Sequence, residues 1–464
     1  MSSPLAPFLI LALVGVFTYA IWRPWICFTL VLVFPVIEQS IQSYIPFFQN
    51  PANFSLLNFV IAGLVGITVC VRFFKSPESF RFFLNPVFML AFTLQLFSYV
   101  SLAWTPEYEN GFLLSLANYP YAILYIIFTP LLLSSLDDFR RVRLPITLIG
   151  SIALIFFFFG PTVRLLGTRL VSYITSNEFS NPLVLARVGI TVLLSALLTR
   201  TEGLAKWVTP ALLGAGIFGL GMAILSGSRG QVVLGVLVVG VLYPFAREIK
   251  DIKNFFSLFF GLFLVFGLIY MAASVFITGD NLERWTGDSL TGGAFGRLEL
   301  VRDTFTPWFN SPSSWFFGNG AGAFITLGFS DKYPHNQPIE VLTELGLVGF
   351  SIYLAMLFFS VKYSVELFRL SADSTDHRSS ATILIGIALF GFLLTLKQGT
   401  VHNSGVDMMV LIVIARLALF ERDALDEDQA YGDEHEDDYE LEEAHEFDDE
   451  EDTDDTSPET SFSY

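Results

Sequence analysis

The chain has 464 residues, 53% hydrophobic and 16% aromatic with only 15% charged, and its 49 phenylalanines rule out an ordinary soluble domain of this length. The composition implies a polytopic membrane protein. Its formal net charge of -18 is a property of one end, because residues 421–464 hold 22 of the 44 acidic side chains and a single basic one, leaving 22 acidic against 25 basic residues over positions 1–420.

A membrane span needs about 20 mostly apolar residues, and about thirteen such segments follow one another along the chain. They begin near Leu5, Trp25, Leu56, Leu84, Tyr119, Leu144, Leu183, Trp207, Gln231, Phe255, Ile339, Ala381 and Gly405. The first run, Leu5 to Trp22, lacks a basic leader region and a small-residue cleavage site, so it is expected to remain as a helix. The second is short and broken by Pro35, which makes twelve the alternative number. The expected fold class is therefore an all-α polytopic bundle of about 12–13 transmembrane helices. Cys27 and Cys70 lie in apolar runs, with neither metal-ligand nor disulfide spacing, and read as packing residues.

Basic residues gather at every second joint: Arg72/Lys75/Arg81, Arg140/Arg141/Arg143, Arg200/Lys206, Arg247/Lys250/Lys253 and Lys362/Arg369/Arg378. The positive-inside bias puts these in the cytoplasm. By alternation, the joints at 39–53, 105–118, 160–182, 226–230, 278–338 and 397–404 face outward. Thr278 to Pro338 is too long for a connector and forms one large outer loop. The C-terminal tail from Glu421 to Tyr464 is expected to be cytoplasmic and disordered, since its charge run cannot bury a core.

Charges on the outer side or inside spans are where chemistry is expected, because the first run against the loop bias and the second are costly. "LSGSRGQ" places Arg229 in a glycine turn between spans, either as a snorkelling joint residue or as an anion cradle. "DSLTGGAFGRLELVRDTF" carries Arg297 and Arg302 and reads as a loop entering an amphipathic helix. "WFFGNGAGAF" is a glycine cluster without the strand context of a dinucleotide site. In "YPHNQPIEVLTELGLVGF", Asn336 is the expected N-cap of a span, His335 stands just before it, and Glu340 and Glu344 share one helical face. Glu344, at depth in the span, is expected to pair with an arginine. His402-Asn403 forms a second His-Asn pair, read as structural, and Arg187 lies about a turn inside its span. No HExxH, outward DxD-like pair, P-loop or GxSxG motif is present, so no metal, cofactor or nucleic-acid partner is expected.

Taken together, "SGSRG", Gly296-Arg297, "GNGAGAF" and "HN" followed by "EVLTELGLVG" resemble the O-antigen ligase and polymerase superfamily of bacterial membrane glycosyltransferases, over roughly residues 180–400. The resemblance implies a GT-C-like membrane fold in the bacterial inner membrane. It also implies metal-independent, inverting transfer of a glycan from undecaprenyl pyrophosphate to an acceptor hydroxyl, such as lipid A-core, at the periplasmic face. Carried onto this chain, His335 would be the general base and Arg229 and Arg297 would hold the pyrophosphate, with Asn336, Glu344, Arg187 and Arg302 in support. A polymerase of the same superfamily is the alternative reading, and a transporter or flippase a more distant one.

Overall fold

The computed structural model describes residues 6–50, 53–106, 108–109, 111–113, 122–166, 169–173, 179–247, 253, 256, 260–261, 267, 287–326 and 335–448. The span expected near Phe255 and parts of the large outer loop, 278–286 and 327–334, lie outside the described residues.

The described chain is predominantly helical: α1 (Ala6–Trp22), α2 (Pro24–Tyr44), α3 (Phe54–Lys75), α4 (Pro86–Val100), α5 (Leu136–Phe158), α6 (Pro182–Leu198), α7 (Val208–Leu225), α8 (Arg229–Arg247), α9 (Gly287–Phe309), α10 (Gln337–Leu370), α11 (Thr375–Gln398) and α12 (Gly405–Asp448). Eight helices among the described residues are long and apolar enough to cross a membrane, with shorter apolar helices at 10–22, 123–132 and 182–198. The chain is thus a multi-span, helical membrane protein. A small antiparallel hairpin, Val163–Leu166 with Arg169–Ser172, departs from the all-α expectation within the joint between α5 and α6.

Local sequence explains where the helices start. Asn85, Asn181 and Asn336 stand at N-caps, their side-chain oxygens accepting from the N–H groups of Phe88, Leu183 and Ile339, and each is followed within two residues by Pro86, Pro182 or Pro338. An asparagine acceptor and a proline lacking an N–H both suit the first turn, where backbone donors have no helical partner. Small residues set the packing. A Cβ on Gly189 of α6 would stand 2.4 Å from the carbonyl oxygen of Gly219 on α7, and one on Gly219 would stand 2.6 Å from that of Gly189, so these backbones touch. Helices α2 and α11 lie largely inside the bundle, with 78% and 72% of their apolar windows buried. Phe74, Phe358 and Val361 point outward, as lipid-facing side chains do.

Several of the basic joints meet one another at one end of the helices. At the basic end, Arg72 reaches Asp138 at 2.7 Å and Arg143 reaches Asp376 at 3.3 Å. Buried Arg416 donates to the carbonyls of Pro130, Leu133 and Arg81. The first turn of the acidic tail docks here too: Glu421 accepts from the Leu136 N–H at 2.7 Å, Arg422 pairs with Glu366 at 3.2 Å and Arg81 with Asp423 at 2.9 Å. The tail therefore departs from expectation at its start, because α12 continues through it to Asp448 and no proline stands before Pro458 to stop it.

The other end is organised by a break in α10. Gly346 has φ 66° and ψ -167° inside the helix. Contacts that an unbroken helix makes between Thr343 and Leu347, and between Glu344 and Val348, are replaced by a neighbouring loop. Asn319 and Gly320 donate to the carbonyls of Thr343 and Glu344, both at 2.9 Å. Leu347 and Val348 donate to those of Trp315 and Phe316, at 2.8 and 3.1 Å. The glycine cluster read from the sequence is this loop, with Gly318, Gly320 and Gly322 all at positive φ. A Cβ on Gly318 would meet the Glu344 carbonyl at 2.1 Å, and one on Gly346 would meet that of Phe316 at 2.3 Å. Residues 287–309, read from the sequence partly as loop, are helical throughout, and α9 packs against α10.

Gly346→Ala and Gly318→Ala are expected to destabilise the protein by at least about 2 kcal/mol each, through strained φ and steric clash. Gly214→Ala, where an added Cβ meets nothing within 4 Å, is expected to stay within about 0.5 kcal/mol of the parent. Thermal unfolding in detergent distinguishes the two cases.

Candidate functional site

The segment from Leu396 to His402, joining α11 to α12, is the hub of the end opposite the basic joints. Asn336 caps α10 and, through its Nδ2, donates to the Leu396 carbonyl at 3.0 Å. Lys397 lies over the start of α8, where a Cβ on Gly230 would fall 1.5 Å from its Nζ. Gln95 of α4 donates to the Val401 carbonyl at 3.2 Å. Arg229 opens α8 beside Gly230, after a turn at Gly227 with φ 70°. His335 immediately precedes Asn336, half-buried, with φ 55°. The hub thus gathers Arg229, Lys397 and His335 near the first turns of α8 and α10, where helix dipoles add positive potential.

Behind this rim lies a buried group of three. Glu340 is 2% exposed, and its carboxylate accepts from the Thr400 hydroxyl at 2.5 Å and from the Val401 N–H at 3.1 Å. Glu344 is 4% exposed and accepts from the N–H groups of Gly322 at 3.0 Å and Phe324 at 3.4 Å. The His402 Nε2 stands 3.7 Å from a Glu344 oxygen, an ion-pair contact longer than a hydrogen bond. Burial pushes the His402 imidazole down, but contact with Glu344 and the added charge of Glu340 outweigh it and hold the group above its ordinary value. His402 also faces an apolar cavity of about 300 Å³ lined by Phe92, Gln95, Tyr99, Ile123 and Ile126. Residues 123–128 form a π-helical turn, which widens the backbone at this wall.

The structure brings some expected site residues together and separates others. Asn336 meets the hub through the Leu396 carbonyl, His335 is its chain neighbour, and Arg229 is the chain neighbour of Gly230, over which Lys397 lies. Arg187 pairs with Asp407 in the first turn of α12, which lines a small pocket with Gln337, Thr395 and Ser404. The Arg302 residue is exposed on α9, its carbonyl accepting from Thr306 at 2.7 Å. Arg297 lies on the same helix, with its side chain outside the described residues. The arginine partner expected for Glu344 is replaced by two loop N–H groups and His402, because the break at Gly346 brings the glycine loop against the carboxylate. Lys397 and the buried setting of His402 escaped the sequence reading; only their place in an outward joint hinted at them.

Neither protein-family models nor curated proteins give a match to this chain.

Thr400→Val is expected to cost about 1–3 kcal/mol, because it removes a hydroxyl donor from a buried carboxylate. With Glu340→Gln already in place, the same change should cost at least about 0.5 kcal/mol less, since contacting residues couple. A double-mutant cycle by thermal unfolding measures this difference.

Proposed function

We propose that the protein transfers a glycan from a polyprenyl pyrophosphate carrier to an acceptor hydroxyl, as a metal-independent, inverting glycosyltransferase of the O-antigen ligase type. The observation that supports this reading is the approach of two helix starts to the Leu396–His402 hub, that of α10 through Asn336 and that of α8 through Gly230 under Lys397. Departure of the diphosphate develops negative charge, and fixed cations in a water-poor setting stabilise such charge more strongly than water does. Arg229 supplies a planar fork for phosphate oxygens, Lys397 a point charge beside it, and Arg297 is assigned to the same diphosphate from the sequence resemblance. His335 takes the proton of the attacking hydroxyl, an imidazole being the side chain suited to that role near neutral pH. The apolar cavity beside the hub offers room for part of the lipid chain.

By the positive-inside bias, the hub faces the periplasm of a bacterial inner membrane and α12 ends in the cytoplasm. A lipid-linked donor fits that side, because it arrives already activated where no nucleotide supply exists. Lipid A-core is the acceptor in this reading. With purified protein and a defined undecaprenyl pyrophosphate-linked glycan, product on lipid A-core supports ligation, whereas lengthened lipid-linked chains reassign the enzyme as a polymerase.

His335→Ala and Arg229→Ala are each expected to lower the transfer rate by about 10²–10³-fold, and Lys397→Ala by about tenfold or more. Unchanged transfer by folded His335→Ala and Arg229→Ala variants overturns the proposal.

A further inference from the structure

We infer that Glu340, Glu344 and His402 form a binding site for one divalent cation of the zinc or manganese class, which clamps the broken helix α10 to the joint between α11 and α12. The three side chains each direct one ligand atom into a common space, and these atoms lie within 4.8 Å of one another. No motif marks the site in the sequence, because the ligands come from two segments about 60 residues apart and not from one helix face.

Three features of the cluster point to an ion. First, the His402 side chain is 7% exposed, and its Nε2 has no hydrogen-bond partner among the described residues, although it is turned toward Glu344. A buried ring nitrogen held only by a 3.7 Å ion-pair contact lacks the hydrogen bond that normally accompanies burial. Second, the 3.7 Å separation from the Glu344 oxygen is too long for a hydrogen bond. It is the spacing of two donors sharing an ion, since metal bonds of about 2.0–2.2 Å at tetrahedral to trigonal angles separate donors by about 3.3–3.8 Å. Third, two buried carboxyl groups, Glu340 and Glu344, share this space with the imidazole, and a bound cation offsets the cost of placing them together out of water.

The surroundings have the form of an outer shell. Glu340 is held by Thr400 and the Val401 N–H, and Glu344 by the N–H groups of Gly322 and Phe324. Such donors fix the orientation of ligating carboxylates while leaving lone pairs for a metal. Imidazole with carboxylate oxygen favours zinc or manganese over softer, thiolate-seeking ions. The cation is structural and takes no part in glycan transfer, so the inference stands or falls independently of the proposed reaction.

The test uses the full chain, purified in detergent with its affinity tag removed and no chelator present. Elemental analysis should find about one zinc or manganese ion per chain. After stripping with EDTA, the melting temperature should fall, and Zn²⁺ or Mn²⁺ alone should restore it by at least about 3 °C. His402→Gln and Glu344→Gln should abolish the restoration. Because the strip-and-restore experiment needs only the parent chain, it stands even where a variant fails to fold. Metal content below about a tenth of an ion per chain, together with no saturable binding of either ion by calorimetry, overturns the site.

Discussion

The outer end of this protein depends on the hydrogen bonds that cross the break in α10. In an apolar setting an unpaired backbone N–H or carbonyl costs several kcal/mol, so a helix can open at Gly346 only if something else supplies donors and acceptors. The loop from Trp315 to Gly320 does this with two N–H groups and two carbonyls, placed as the missing turn would place them. Glycine is required on both sides of the contact because the backbones approach too closely for a Cβ. The same loop is seated on the turn after α4, where Ala321 bonds Ser101 and Thr105, and it brings its N–H groups to Glu344.

Buried carboxylates carry the constraint one step further. Glu340 and Glu344 sit a helical turn apart on α10, and each captures a different piece of chain: the α11–α12 joint for the first, the glycine loop for the second. A carboxylate taken out of water must find donors, and backbone N–H groups of irregular segments have the freedom to become those donors. The same pair of residues thereby holds two short turns, Ala323–Thr326 and Val401–Asn403, against α10. His402 is drawn in with the joint and ends between the carboxylates and the apolar cavity.

The two ends of the bundle solve different problems with the same cation. At the basic end, Arg72, Arg143 and Arg416 are buried or nearly so and donate to carbonyls and carboxylates, so their charge is used up in holding segments together. Around the hub, Arg229 stands at the start of α8 with Lys397 over the neighbouring Gly230, an arrangement that concentrates positive potential at that helix start.

The sequence by itself determined that the chain is helical and multi-span, where many helices begin, and which joints are basic. These are local properties: an apolar run of sufficient length, an asparagine and proline at a helix start, a cluster of basic residues in a short loop. The docking of the acidic tail at residues 421–423 was not legible, because it depends on partners remote in the chain. A glutamate inside a span announced that Glu344 needs a partner, but the partner was decided only by the tertiary structure. Gly322, Phe324 and His402 reach it across the break at Gly346, and contacts between segments 20 to 60 residues apart leave no periodicity to read.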